Sequence, residues 1–226
     1  VNTRVNWLPF AAVATVLMLC ITQWFVWVYA PVETTLGPVQ KLFYFHVALA
    51  WWALLSFFVV FVAGIFYLLR RQSSWDHLGG AAAEIGVLFS GLALVTGSVW
   101  GRASWGVWWT WDPRLTTTLI MWFVYCAYLI LRSSGIGAER RPVVCAVVGI
   151  VAFLDVPLVF YSARMWRSIH PAVFGKSGGG MAPEMLTTML VSIVAFGLLW
   201  LCMTTLRTRQ LRHGERLDAL ARGDLN

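Results

Sequence analysis

Charge is what this sequence has least of. Only 12% of its 226 residues are Asp, Glu, Lys or Arg, against 59% hydrophobic residues and a mean hydropathy of +0.72. So few polar groups cannot cover the surface of a water-soluble domain of this length, which leaves an integral membrane protein. CxxC pairs are missing as well. Cys20, Cys126, Cys145 and Cys202 each stand alone in an apolar block and read as small buried hydrophobes, not as a disulfide framework or a thiolate metal site. A phosphate-binding loop is also lacking: the segment FGKSGGG needs a glycine five residues before Gly175, where the chain has His170, so no nucleotide site is expected. The net charge of +7 is spread in short basic runs between apolar blocks, the pattern of membrane topology signals and not of a nucleic-acid surface.

What the chain has in quantity is long apolar runs. Six of them, approximately residues 7–30, 42–69, 79–99, 115–131, 143–161 and 185–206, reach the ~20 residues that span a bilayer. The first is too long for a signal-peptide core and has no small-residue cleavage site before Pro31, so it is expected to stay. Basic residues set the orientation. Arg4, Arg70, Arg71, Arg132, Arg140, Arg141, Arg207, Arg209, Arg212, Arg216 and Arg222 fall on one side, and Lys41, Arg102, Arg114, Arg164, Arg167 and Lys176 on the other. The expectation is an all-α integral membrane protein, a single six-span domain over residues 1–226 with both termini cytoplasmic. Three connections then lie outside, at 31–41, 100–116 and 162–184. The tail, residues 207–226, mixes charge with leucines and suits a short surface helix.

The second outer connection, WGRASWGVWWTWDPRLT, is the most unusual stretch. Trp100, Trp105, Trp108, Trp109 and Trp111 fall within twelve residues, with Gly101 and Gly106 between them. An interfacial aromatic belt scatters its rings over several helix ends, as Trp7, Trp24, Trp27 and Trp200 do here. Five in one connection is denser than a belt needs, and favours a platform for a large, flat, mostly apolar ligand. Asp112 followed by Pro113 is a helix-start signal, with Asp as N-cap and Pro at the first helical position, and it fixes where the preceding rings point.

Four histidines complete the polar inventory. His77 and His213 fall on the cytoplasmic side and read as ordinary polar residues. His46 (KLFYFHVALAWW) and His170 (MWRSIHP) both fall at the outer side. Each alone reads as a hydrogen-bonding group, but ionisable residues at membrane depth are functional candidates. Together they have the chemistry to supply both axial positions of a haem iron. The outer cations, among them Arg102 and Arg114, suit the two propionates of haem through charge-assisted bonds, and equally suit lipid headgroups. Glu84 lies near enough to the cytoplasmic end of its span to reach water. Asp155 lies deep and is expected to hydrogen-bond backbone freed by Pro157, with a proton pathway as the other reading. Without a CxxCH the chain itself carries no covalent haem of the c type.

At this point WGRASWGVWWTWDPRLT resembles the tryptophan-rich WWD signature of haem-handling membrane proteins of cytochrome c biogenesis. Six spans, with one histidine flanking the signature on each side, match the haem exporter protein C (CcmC) family from Lys41 to about Leu206. Where that family pairs tryptophans before its second histidine, this chain has Met165 and Trp166. The resemblance implies that His46 and His170 are axial ligands of a non-covalently and transiently held haem b. Trp105, Trp108, Trp109, Trp111 and Asp112 become the signature residues of the platform, with Trp100 beside them. It also implies delivery of haem, in a bacterial inner membrane, to a small periplasmic haem chaperone (component E). The accompanying partners are an ABC-type transporter pair (components A and B) and a short single-span protein (component D). The role is that of a transfer protein, not an enzyme with its own nucleotide site. Three other readings compete: a b-type electron-transfer subunit that keeps its haem, a haem-free permease subunit whose tryptophans are only anchors, and the fused cytochrome c synthetase, which shares the signature but is a longer chain with more histidines.

Overall fold

The structure is a computed structural model, and it describes residues 7–135, 137, 139–166, 168–170, 181–221 and 223, with the side chains of Ala163 and Arg164 left aside. Among the described residues seven α-helices follow in chain order: α1 (Leu8–Trp24), α2 (Leu42–Arg70), α3 (Ser73–Trp105), α4 (Pro113–Ser133), α5 (Arg141–Ala152), α6 (Asp155–Met165) and α7 (Pro183–Ala221). With α5 and α6 counted as one, six helical segments among the described residues are long and apolar enough to cross a membrane. The protein is a six-span helical membrane protein.

The fifth span breaks at Phe153 and Leu154, and the sequence says why. Pro157 has no N–H for the carbonyl of Phe153, four residues earlier, and its ring clashes with that carbonyl. Phe153 O instead accepts from Val156 N at 3.0 Å in a tighter turn. Asp155 begins α6 at this break, and its buried Oδ2 has no hydrogen-bond partner among the described residues. The backbone bond expected for that oxygen is not there.

Two helices outrun their apolar runs. α3 begins at Ser73, not near Gly79, because Asp76 and His77 in its first turns are buried and paired: Arg132 on α4 makes two bonds of 2.6 and 2.7 Å to the Asp76 carboxylate. α7 continues unbroken to Ala221, where the sequence suggested a separate surface helix. Arg207 binds the Glu84 carboxylate at 2.5 and 3.0 Å, and Glu215 lies 2.9 Å from His77. Glu84 is therefore paired while its side chain still reaches water, 32% exposed, and His77 is a buried partner of α7.

Apolar burial gives little drive to pack helices in lipid, so close approach at small residues has to do that work. α2 and α3 form the most extensive pair. A Cβ at Gly86 would stand 2.7 Å from Phe57, and Phe57 stacks on Tyr125 of α4 with centroids 3.7 Å apart. On the other flank Trp200 stacks on Trp52 at 5.1 Å and donates to Ser56 Oγ at 2.6 Å. Trp200 thus belongs to the α2–α7 seam, not to an interfacial belt, whereas Trp7, Trp24 and Trp27 are exposed on the α1 side. All four cysteines are free; Cys145 is buried and Cys20 faces outward.

Candidate functional site

The site forms where α2, α3, α4 and the chain after α6 meet at one end of the bundle. α3 carries the first part of the tryptophan stretch as helix. Trp100 to Trp105 are its last turns, and Gly106 ends it in the left-handed conformation (φ +75) with its N–H on Arg102 O. Only residues 106–112 connect α3 to α4, a shorter connection than 100–116, because a glycine with no Cβ takes the turn that stops a helix. Asp112 then caps α4 by accepting from Arg114 N at 2.9 Å, as the sequence indicated.

A cavity of about 500 Å³ opens beneath this connection, within the roughly 300–1,000 Å³ typical of small-molecule and cofactor sites. Its floor is apolar and reaches Ala53, Leu54, Met121 and Val159, and half-exposed Trp51 and Phe160 flank its side. Polar groups gather at the top: His46, His170, Arg114, Ser98 and the indole of Trp109. The imidazoles of His46 and His170 face each other there, centroids 6.4 Å apart and planes 37° apart.

His46 stands in the second turn of α2. Its Nδ1 lies 2.9 Å from Ala93 O and 3.2 Å from Thr96 Oγ1 on α3. A carbonyl only accepts, and the Thr96 hydroxyl is already donating to Leu92 O at 2.8 Å. This network assigns the proton to Nδ1 and leaves the neutral ring's lone pair on Nε2. An imidazole orientated this way is the usual arrangement of a metal-binding histidine.

His170 is placed by Asp112. The two carboxylate oxygens accept from Ser168 Oγ at 2.9 Å and from Ile169 N at 2.8 Å, and Ser168 Oγ in turn accepts from His170 N at 3.1 Å. Asp112 is only 7% exposed, so a buried carboxylate with three donors both starts α4 and fastens the segment before His170. Ser168, Ala93 and Thr96 were not singled out from the sequence. Ser168, two residues before the histidine, carried a turn-forming signal, but the Ala93 carbonyl carried none.

The tryptophans divide. Trp100, Trp105 and Trp109 line the cavity, while Trp108 and Trp111 do not, being 60% and 77% exposed. Trp100 packs edge-on against Trp105 with centroids 5.7 Å apart and donates to Gln40 Oε1 at 3.1 Å. Trp109 packs edge-on against Trp111 at 5.9 Å, and its buried Nε1 has no partner among the described residues.

The cations divide too. Arg114 lines the cavity, and its guanidinium makes no hydrogen bond among the described residues. Arg102 instead binds Gly106 O and caps α3. Lys41 is buried against the helical turn Phe25–Tyr29 that follows α1, with Nζ 3.1 Å from Trp27 O. Arg167, Lys176 and the side chain of Arg164 lie outside the described residues.

The cavity therefore offers two facing imidazoles, unpartnered donors from Arg114 and Trp109, three indoles and an apolar floor. The sequence matches the family described as Heme exporter protein C over residues 1–221. Among curated relatives, Heme exporter protein C of Bradyrhizobium diazoefficiens is 34% identical over 213 residues, 92% of this chain and 81% of the relative. The Rhodobacter capsulatus protein of the same name is 32% identical over 220 residues, 94% and 89% of the two chains. That of Escherichia coli K12 is 28% identical over 204 residues, 90% and 83%.

Proposed function

The chain belongs to the haem exporter protein C family, and on that premise we propose that it holds haem between His46 and His170 at the outer face of the membrane and passes it on. Its task is haem handling in cytochrome c maturation. The recipient is a periplasmic haem chaperone, in an assembly with the ABC-type transporter pair and a single-span subunit. The membrane is the bacterial inner membrane, with both termini cytoplasmic and the tryptophan connection outside.

The observation that carries this reading is the facing pair of imidazoles over the cavity. Two metal–nitrogen bonds of ~2 Å each, added to two ring radii, come close to the 6.4 Å centroid separation. Among the described residues no third His, Cys, Asp or Glu joins them. Two imidazoles without further ligands suit a metal that arrives with four of its own in a plane, which describes a metalloporphyrin.

Haem is the cargo, and this chain's residues bind and orient it. His46 presents Nε2 because α3 holds Nδ1. His170 comes from a segment that Asp112 fastens. Arg114 and the Trp109 N–H suit the propionate carboxylates, and Trp100 and Trp105 supply flat apolar contact that excludes water. Exposed Trp108 and Trp111 stand at the rim, where a handover partner has access.

The test is to purify the chain and titrate it with ferric haem. The expected result is one equivalent bound with the spectrum of six-coordinate, low-spin haem, which then transfers to the chaperone. Failure to bind stoichiometric haem sinks the reading, and haem that binds but never transfers supports the electron-transfer alternative.

A further inference from the structure

We infer that Gly97 is the positioning residue for His46: its bare Cα is the seat against which α3 holds the imidazole so that Nε2 is presented to the cavity. This deepens the haem reading and rests on it.

Gly97 lies inside the 33-residue helix α3 and is not among the positive-φ glycines, Gly37, Gly106 and Gly223. No backbone requirement calls for it, and a glycine within a helix is less favourable than alanine. Contact supplies the reason. A Cβ built there would stand 2.8 Å from His46 Cε1, 3.3 Å from Nδ1 and 3.8 Å from Nε2. Its three nearest neighbours are all atoms of that one ring. Gly91 and Gly86 on the same helix instead meet Trp122 and Phe57, so their role is helix packing.

Ala93, Thr96 and Gly97 are spaced i, i+3 and i+4 and share one face of α3. The first two give His46 Nδ1 a carbonyl and a hydroxyl oxygen, and the third gives the ring a surface with no side chain. A methyl group at position 97 cannot retreat, because α3 lies along α2 in the most extensive helix pair of the bundle. The imidazole has to move instead. Moving it lengthens the Nδ1 bond to Ala93 and turns Nε2 off its line to the metal. Gly97 itself touches neither haem nor iron, and acts only through His46.

The experiment uses the full chain, purified and titrated with ferric haem, as wild type, Gly97→Ala, Gly91→Ala and His46→Ala. Gly97→Ala is expected to lose the six-coordinate low-spin spectrum and to bind haem about 10–100-fold more weakly, the usual cost of disturbing the group that orientates a metal ligand. Its helical circular-dichroism spectrum is unchanged, since alanine is the better helix former. Free imidazole restores the low-spin spectrum to Gly97→Ala and to His46→Ala alike. Gly91→Ala, which adds the same methyl group to α3 away from the ring, keeps the wild-type spectrum. The positioning role is overturned if Gly97→Ala keeps the wild-type spectrum and affinity while His46→Ala loses them, or if Gly91→Ala loses them equally. If His46→Ala itself keeps the wild-type spectrum, the haem site is wrongly assigned, and the role of Gly97 falls with it.

Discussion

Asp112 and Ser168 are 56 positions apart in sequence, and Ser168 Oγ donates to Asp112 Oδ1 across 2.9 Å. With the Ile169 N–H on the other carboxylate oxygen at 2.8 Å, this contact joins the tryptophan connection to the segment carrying His170. The acid at the end of the WWD signature thus does more than start α4. It sets the distance between the indoles and the second imidazole.

Asp112→Asn keeps the cap but gives up one of two accepting oxygens. A hydrogen bond to a charged group is worth about 1.5–3 kcal/mol, so haem affinity is expected to fall roughly tenfold or more. Ser168→Ala should weaken binding less. Haem titration of both variants measures this, and an Asp112→Asn chain with wild-type affinity contradicts the clamp.

Among the described residues Arg114 is the Arg or Lys that lines the cavity, so it should be the group that reads the propionates. The wild-type chain is expected to prefer haem over its dimethyl ester, and Arg114→Gln to bind both equally weakly. Competition between the two porphyrins gives the ratio. An undiminished preference in Arg114→Gln would assign propionate recognition elsewhere.

The division of the tryptophans separates holding from handing over. Trp105→Ala and Trp109→Ala remove cavity lining and should lower haem retention on purification. Trp108→Ala and Trp111→Ala remove exposed rings and should leave retention near wild type while slowing transfer to the chaperone. Retention measured by absorbance and transfer by chaperone-bound haem distinguish the two pairs, and identical behaviour of all four refutes the division.

At the opposite end of the bundle, Asp76 and Arg132 form a buried pair with side chains 7% and 11% exposed. Breaking such a pair from one side leaves a buried charge without its partner, at a cost of about 3–5 kcal/mol. Arg132→Ala is expected to lower the thermal midpoint markedly, with Asp76→Ala similar and the double variant well short of their sum. The haem spectrum should not change, since neither residue lines the cavity. A shifted spectrum would mean that the two ends are coupled.

The six spans were legible because a bilayer demands apolar runs of a fixed length, and the break before Pro157 was implicit in that one residue. The true starts and ends were not. SSWDHLGG reads as a connection and RTRQLRHGERL as a separate surface helix until Asp76 is seen against Arg132, and Glu84 and His77 against α7. Long-range pairing extends helix into polar sequence, burying Asp76 and His77 but leaving Arg207 and Glu215 partly exposed, and no local pattern records it. In the site, His46, His170 and the indoles stand out by residue type. Which indoles face inward does not, because that depends on Gly106 ending α3 after Trp105. The same limit hid the second role of Asp112, whose partners lie 56 and 57 residues on, and it misplaced Trp200, whose partners lie on α2.

The facing imidazoles are tested most directly by the absorption spectrum of the haem-loaded chain with His46→Ala and His170→Ala made one at a time. The account predicts that each substitution alone converts six-coordinate, low-spin haem to a five-coordinate, high-spin form, and that imidazole added to the solution reverses the change. Wild-type spectra in both single variants would contradict it.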